Sequence, residues 1–161
     1  MLDLTTQKII LIHDIIVELD KGTSEYLPGV RDIGTLEFLI EYQINQKNSV
    51  FLNAAFSLYS ITHRHAFNNG NKRTGFGVAS IILESERYHI TASRAERLGF
   101  LLKIARYETT PEEIEHWLKE NTYRMNKIEL MLHNSKNHIL LYIIIILLWF
   151  LHWLKRIMKI K

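Results

Sequence analysis

Residues 65–75 read His-Ala-Phe-Asn-Asn-Gly-Asn-Lys-Arg-Thr-Gly, a polar and charged stretch between two segments whose apolar residues recur at helical spacing. The upstream segment predicts a helix that begins near Val50 and ends close to His65. Residues 68–70, Asn-Asn-Gly, then interrupt the helical period, because these residue types favour turns and tolerate left-handed backbone. A second helix is expected over residues 71–87. The stretch therefore predicts a helix, a tight loop and a second helix.

This loop combines groups that phosphate chemistry uses. The second helix points its unpaired N–H groups and the positive end of its dipole into the loop, which favours a bound anion. Lys72 and Arg73 add two cations, and His65 can accept or donate a proton near neutral pH. The combination predicts phosphoryl or nucleotidyl transfer. Taken singly, the same residues also fit a plainer interpretation, a helix-ending histidine followed by a solvated turn.

As a string, residues 65–73 resemble the motif of the Fic/Doc family, His-x-Phe-x-Asp/Glu-Gly/Ala-Asn-Lys/Gly-Arg, at eight of its nine positions. Lys72 resembles the death-on-curing (Doc) toxin branch, whereas the AMP-transferring Fic branch usually carries glycine there. Asn69 departs from the motif, because the family normally has an acidic residue that contacts the magnesium bridging the nucleotide phosphates. The resemblance covers residues 1–122 by the order of helices and turn signals.

The resemblance implies an all-α, Fic/Doc-like helical bundle with a short flap. It implies a Doc-type, toxin-like transferase that moves phosphate, in preference to AMP, from ATP to a hydroxyl of a target protein, plausibly a translation elongation GTPase. The implied cofactors are ATP and Mg²⁺, with Asn69 at the metal position and His65 as the general base. Phe67 would be the buried anchor of the loop.

Three further sets of residues follow from the resemblance. The catalytic residues would be His65, Lys72 and Arg73. The nucleotide and its phosphates would be held by Gly70, Asn71, Lys72, Arg73 and Thr74. The flap that aligns the target peptide, by pairing with its backbone, would be formed by Leu27, Pro28 and Gly29.

The other predicted elements are helical. A first helix is capped by Thr5 or Thr6 and carries an apolar stripe of Ile9, Ile12, Ile16 and Leu19, and its His13-Asp14 pair is interpreted as scaffold at a helix–helix contact. Asp32 caps the next helix. After a short break at residues 88–90, a helix is expected over residues 92–106 with an apolar row of Ala95, Leu98, Leu102 and Ala105. Thr110 and Pro111 open a last helix with a capping box. No strand pair is predicted.

Charge is distributed unevenly along the 161 residues, whose formal net charge is +3. Residues 123–161 carry a net charge of +6, so residues 1–122 carry −3. An acidic body with a basic tail argues against a nucleic-acid partner and favours a tail that meets a negatively charged membrane face. The chain contains no cysteine and begins without a signal-peptide pattern, which favours a cytoplasmic location.

The tail is apolar without interruption from Ile139 to Leu151. With Trp153 and Leu154, which follow His152, the segment has sixteen residues and would span about 24 Å as a helix at ~1.5 Å per residue. Flanking Trp, Lys and Arg side chains can bridge the remaining distance across a bilayer core of about 30 Å. The sequence thus predicts a Fic/Doc-like domain over residues 1–122, a connecting segment over 123–137, and a membrane-associated helix with a basic end over 138–161, at the inner face of the cell membrane. The alternatives are an anchor that lies in the membrane interface and a core or dimer-interface helix.

Regulation is expected to come from outside the chain. Self-restraining Fic proteins carry a Ser/Thr-x-x-x-Glu-Gly/Asn element, and although Ser80 and Glu84 have its spacing, Ser85 follows. The Doc branch is instead inhibited by a separate antitoxin, which we expect as a partner in trans.

Asn69 also leaves open a catalytically inactive, membrane-tethered Fic-like module that binds a nucleotide or a partner. Nuclease chemistry is disfavoured, because the sequence supplies no second metal-binding histidine beside the loop.

Overall fold

The computed structural model describes residues 3–130. Its first compact unit ends at Arg124, and residues 125–130 belong to a second unit. The elements of the first unit are α1 (Thr6–Glu18), α2 (Ile33–Phe38), a π-helical segment (Leu39–Gln43), α3 (Val50–His63), α4 (Asn71–Ser85), β1 (Tyr88–Ile90), α5 (Arg94–Ala105), α6 (Pro111–Glu120) and β2 (Thr122–Arg124). The predicted, predominantly helical bundle is confirmed.

The α3–α4 pair forms the centre of the bundle. Small residues let the two helices approach closely: a Cβ atom added to Gly75 would lie 2.7 Å from Thr62 Oγ1 and 3.2 Å from the Leu58 carbonyl oxygen. Gly77 does the same on the α1 side, where an added Cβ would lie 3.3 Å from Ile16 Cδ1. The remaining helices cover this pair around one core, whose fully buried apolar residues include Leu36, Leu58, Ile61, Val78, Leu83, Ile104, Ile114 and Leu118.

The first helix begins as predicted, because the Thr5 side chain accepts a hydrogen bond from Lys8 N. Its buried face differs from the predicted stripe. Ile9, His13 and Val17 are buried, whereas Leu19 lies beyond the end of the helix and is 84% exposed. The helix therefore ends at Glu18, before the last residue of the predicted stripe, and His13 is part of its buried face.

Two strands correct the prediction of a purely helical chain. Residues 88–90, expected to be a short break, pair antiparallel with residues 122–124 in the register Tyr88–Arg124 and Ile90–Thr122. Each strand has three residues, too few to show an alternating pattern in sequence, and the partners are distant along the chain. Their pairing fastens the end of α6 beside the end of α4.

Helix α5 also differs in its buried face. Its N-terminus is a capping box of Ser93 and Glu96. The predicted apolar row is wrong, since Leu98 is 54% exposed and Leu102 36% exposed, while Leu101 and Ile104 face the core. The capping box of α6 at Thr110, with Pro111 at the first helical turn, is confirmed.

The predicted hydrophobic helix of residues 138–161 lies outside the described residues, as do residues 131–137. Among helices of residues 3–130, none is long and apolar enough to cross a membrane. The described part of the second unit begins a helical turn, where the Asn126 side chain accepts hydrogen bonds from Ile128 N and Glu129 N and the Glu129 carboxylate accepts one from Asn126 N.

The close α3–α4 approach predicts opposite effects for two glycine substitutions. Gly75→Ala should lower the free energy of unfolding by about 1–3 kcal/mol, because the new methyl group overpacks against Thr62 and a backbone carbonyl. Gly99→Ala in α5 should raise it by about 0.5–1 kcal/mol, because nothing lies within 4 Å of the added Cβ and alanine favours helix. Chemical denaturation of both variants measures this difference, and equal effects would contradict the packing described.

Candidate functional site

The loop between α3 and α4 is held by the side chain of Asn71. Its Oδ1 accepts a hydrogen bond from Phe67 N at 2.8 Å, and its Nδ2 donates one to Phe67 O at 2.8 Å. Phe67 is fully buried, as predicted for an anchor. His65 and Gly70 adopt positive φ angles of 51° and 72°, which let the chain reverse direction within this short span. The loop is therefore a closed turn with an apolar anchor.

His13 supports this turn from α1. Its ring is fully buried and stacks on Phe67 with centroids 3.9 Å apart and planes at 4°. Its Nε2 lies 3.2 Å from the Asn69 carbonyl oxygen, and its Nδ1 lies 3.2 Å from Asp14 Oδ1. The interpretation of this pair as scaffold holds, but the contact is with the loop and not with another helix.

A cavity of about 350 Å³ opens over the loop. It brings together most of the residues that the sequence analysis predicted for the site. From the loop and the start of α4, the lining residues are His65, Asn68, Asn69, Gly70, Asn71, Lys72 and Arg73. Three further residues that the sequence analysis did not name also line it: Glu25, Thr62 and Ala105. Thr74 does not line it, because this residue is buried within α4. A second cavity of about 320 Å³, at the opposite ends of α3 and α4, contains no residue of the 65–75 stretch.

The start of α4 offers unpaired donors to this cavity. The first intrahelical bond runs from Thr74 N to Gly70 O at 2.8 Å, and Gly70 caps the helix without a side-chain hydrogen bond. The N–H groups of Asn71, Lys72 and Arg73 have no partner within residues 3–130. Three N–H groups, the positive helix end and the Lys72 ammonium suit the oxygens of a phosphate chain. The side-chain amide of Asn71, by contrast, is fully used on Phe67.

Arg73 lines the cavity, but its guanidinium is paired with a carboxylate. Its Nη1 and Nη2 donate to Oδ1 and Oδ2 of Asp20 at 3.0 and 2.5 Å, in the two-pronged geometry that a guanidinium also uses for phosphate. Hydrogen bonding to Arg73 lowers the pKa of Asp20, and the same contact raises the pKa of Arg73. A phosphate must therefore compete with the Asp20 carboxylate for this cation.

The flap lies along the loop. Val30 forms an antiparallel bridge with Phe67, and Asn68 N donates to Gly29 O at 3.1 Å. The Asn68 side chain donates to Pro28 O at 3.1 Å. Leu27 is 55% exposed. The predicted flap residues thus lie against the loop and are joined to it by hydrogen bonds at Pro28 and Gly29, while none of the three lines the cavity.

Asn69 takes part in the same attachment. Its Oδ1 accepts from Gly70 N, and its Nδ2 donates to Glu25 O, each at 2.6 Å. An aspartate here would keep the first bond and lose the second, because a carboxylate cannot donate. Asparagine therefore suits a loop that is fastened to residue 25, and this contact explains physically why an amide fits a position where the motif has an acid.

The oxygen ligands available to a metal are few. Within residues 3–130, no group of three or more His, Asp or Glu side chains is placed to hold an ion. Glu25 is the only acidic residue among the described residues that line the cavity, and Asn69 Oδ1 adds a neutral oxygen. These donors suit a magnesium ion that keeps several waters and binds mainly through phosphate oxygens.

Sequence comparison agrees with this geometry. The Fic/DOC family matches residues 3–83, which is half of the chain and includes α1, the flap, the loop and most of α4. The chain belongs to the Fic/DOC family. The match does not distinguish the Doc toxin branch from other Fic members. No curated protein matches the chain. Membership in Fic/DOC suggests a transferase of AMP or phosphate.

The contact between Arg73 and Asp20 predicts a gain in ligand affinity. Asp20→Asn should tighten ATP binding about fivefold, because it releases the guanidinium and removes a negative charge beside the cavity. Glu18→Gln is the matched control, since it removes an equal charge near the end of α1 from a carboxylate that pairs with Lys21. Calorimetric titration of the full chain measures both. Weaker binding by Asp20→Asn would mean that Asp20 orients Arg73 for the ligand.

Proposed function

We propose that this Fic/DOC protein is a Doc-type transferase that moves the γ-phosphate of ATP, in preference to AMP, to a hydroxyl of a target protein. The observation that carries the proposal is the cavity lined by His65, Asn71, Lys72 and Arg73, the last three of which have N–H groups without a partner in the described part of the chain. Lysine at position 72, where AMP-transferring relatives usually have glycine, supports phosphate as the transferred group. A proton acceptor and an anion cradle then lie within one short loop.

In this proposal His65 acts as the general base. It accepts the proton of the acceptor hydroxyl while the hydroxyl oxygen bonds to the γ-phosphorus, and the bond to the departing ADP oxygen breaks. The N–H groups at the start of α4 and the Lys72 ammonium hold the phosphate oxygens and stabilise the charge that develops on them. Arg73 joins them once it exchanges Asp20 for phosphate.

Magnesium is the proposed second component, and when bound it would neutralise part of the phosphate charge. Asn69 Oδ1 and the Glu25 carboxylate are the oxygens that this chain would offer it. Since the amide carries no charge, we expect weaker metal binding than in relatives with an acid at this position.

The remaining proposals concern partners. A translation elongation GTPase is proposed as the target from the Doc branch. A separate antitoxin is proposed as the inhibitor, supported by the missing self-inhibition element: Ser80 donates its hydroxyl to Phe76 O within α4, and Ser85 follows Glu84. The apolar tail of residues 138–161, with its basic end, is proposed to hold a cytoplasmic enzyme at the inner face of the membrane, without a nucleic-acid partner.

A second candidate function is an inactive Fic-like module that binds a nucleotide or a partner without catalysis. Two observations favour it: Asn69 replaces the acidic residue of the motif, and Asp20 occupies the guanidinium of Arg73.

Labelled ATP separates the two functions. The full chain is incubated with a cell lysate and either γ- or α-labelled ATP. Transfer of label from the γ position alone is the expected result. Transfer from the α position alone would replace phosphate with AMP, because the γ-phosphate then leaves with pyrophosphate, and transfer from neither position would favour the inactive module.

The role of His65 predicts a selective loss. His65→Asn should lower transfer by about 10²–10⁴-fold, because asparagine accepts the positive φ angle but cannot act as the base. ATP affinity should stay within a few-fold, since the imidazole acts on the acceptor. His116→Asn, an exposed histidine on α6, is the control and should transfer normally. Equal loss of binding and transfer in His65→Asn would assign His65 a structural role.

A further inference from the structure

A third depression also borders His65. It is formed by the start of α2, the end of α3 and the segment after α5, and we call it the basic groove; it is lined by Arg31, Asp32, His63, Arg64, His65 and Tyr107. Its volume is about 570 Å³. His65 lines both the groove and the cavity over the loop.

The acidic and basic side chains of the groove differ in whether their polar atoms already have hydrogen-bond partners. Asp32 is committed to capping α2, because its Oδ1 accepts from Thr35 N at 3.3 Å and its Oδ2 from the Thr35 hydroxyl at 2.6 Å. Hydrogen bonding to Thr35 also lowers the pKa of Asp32, which keeps it ionised. The guanidinium groups of Arg31 and Arg64 have no hydrogen-bond acceptor among residues 3–130, and both arginines are exposed. The groove therefore presents two cations whose donors are open and one carboxylate, that of Asp32, which is hydrogen-bonded to Thr35 and whose pKa the charge of Arg64 also lowers.

His63 does not add a third cation. Burial lowers its pKa, and the charges of Arg64 and His65 act in the same direction. Its ring stacks on Tyr59, whose hydroxyl lies 3.2 Å from His63 Nε2, and meets the edge of Tyr107. His63 and Tyr107 thus form an aromatic wall beside the arginines.

The backbones of both arginines are fixed with respect to His65. Arg31 N and Asp32 N donate to the carbonyl of Ala66, the residue after His65, at 2.8 and 3.0 Å. Arg64 precedes His65, donates its N–H to Ser60 O at the end of α3, and places its guanidinium 5.4 Å from the centre of the Phe38 ring. A ligand held by these side chains would therefore lie close to the proposed base, which lines the same groove.

We propose that the basic groove binds an acidic side chain next to the acceptor hydroxyl, so that the preferred substrates are segments in which Asp or Glu flanks Ser, Thr or Tyr. The inference rests on the proposed function in one respect, that the hydroxyl is delivered to His65. Charge complementarity selects the occupant: two open guanidinium groups favour carboxylates and disfavour Lys or Arg at the same positions.

Peptide binding tests the groove without catalysis. Fluorescent peptides of one length carry a central threonine flanked by Glu, by Gln or by Lys, and their binding to the full chain is followed by anisotropy. The glutamate peptide should bind about fivefold to tenfold more tightly than the glutamine peptide, with the difference shrinking at high salt, and the lysine peptide should bind least. Equal affinity for all three peptides, or no binding of the glutamate peptide at millimolar concentration, would overturn the proposal.

Substitutions locate the effect. Arg31→Gln combined with Arg64→Gln should remove the preference for glutamate, whereas Arg94→Gln, an exposed arginine on α5 outside the groove, should leave it intact. Arg31→Glu combined with Arg64→Glu should reverse the preference toward the lysine peptide, which a variant that merely fails to fold could not do. If the charge-reversed variant still prefers the glutamate peptide, the acidic side chain binds elsewhere, and the proposal that the basic groove binds it is overturned.

The two proposals fail separately. Selective peptide binding without γ-label transfer to any protein would contradict the proposed transferase and leave the groove standing. Label transfer to lysate proteins, together with equal binding of the three peptides, would contradict the groove and leave the transferase standing.

Discussion

The two hydrogen bonds between the side-chain amide of Asn71 and the peptide groups of Phe67 hold the site together. They close the turn, and through it they fix where α4 begins and where its first N–H groups lie, which have no partner among residues 3–130. Phe67 is in turn clamped between the core and the buried ring of His13. Without this closure, His65 and the start of α4 would belong to two independent helix ends, and no common cavity would exist.

The same turn organises its surroundings through backbone pairing. The flap attaches at Phe67 and Asn68, residues 31 and 32 attach at Ala66, and Asn69 attaches to Glu25. The cavity over the loop and the basic groove both include His65 and are therefore held by the same set of backbone bonds. Asp20 acts differently, because it competes for a cation and holds Arg73 in the geometry that a phosphate would use.

Residue pattern was sufficient for the helices and the loop. Helical spacing and capping residues predicted α1, α3, α4 and α6, and the 65–75 string indicated the family. The residue pattern did not predict features that depend on tertiary contacts between distant residues, because such contacts leave no local signal. These features are the strands at residues 88–90 and 122–124, the exposed face of α5 and the Asp20–Arg73 pair. The role of Asn69 also required the structure, since its contact with Glu25 crosses 44 positions of the chain.

Hydrogen exchange of the full chain on adding ATP tests the central claim, that the start of α4 binds phosphate. The amides of residues 71–73, which have no partner among the described residues, should exchange more slowly with ATP present, while those around the second cavity near Tyr88 should not change. Unchanged exchange over residues 65–75 at ATP concentrations that saturate the chain, or protection confined to the second cavity, would contradict the account.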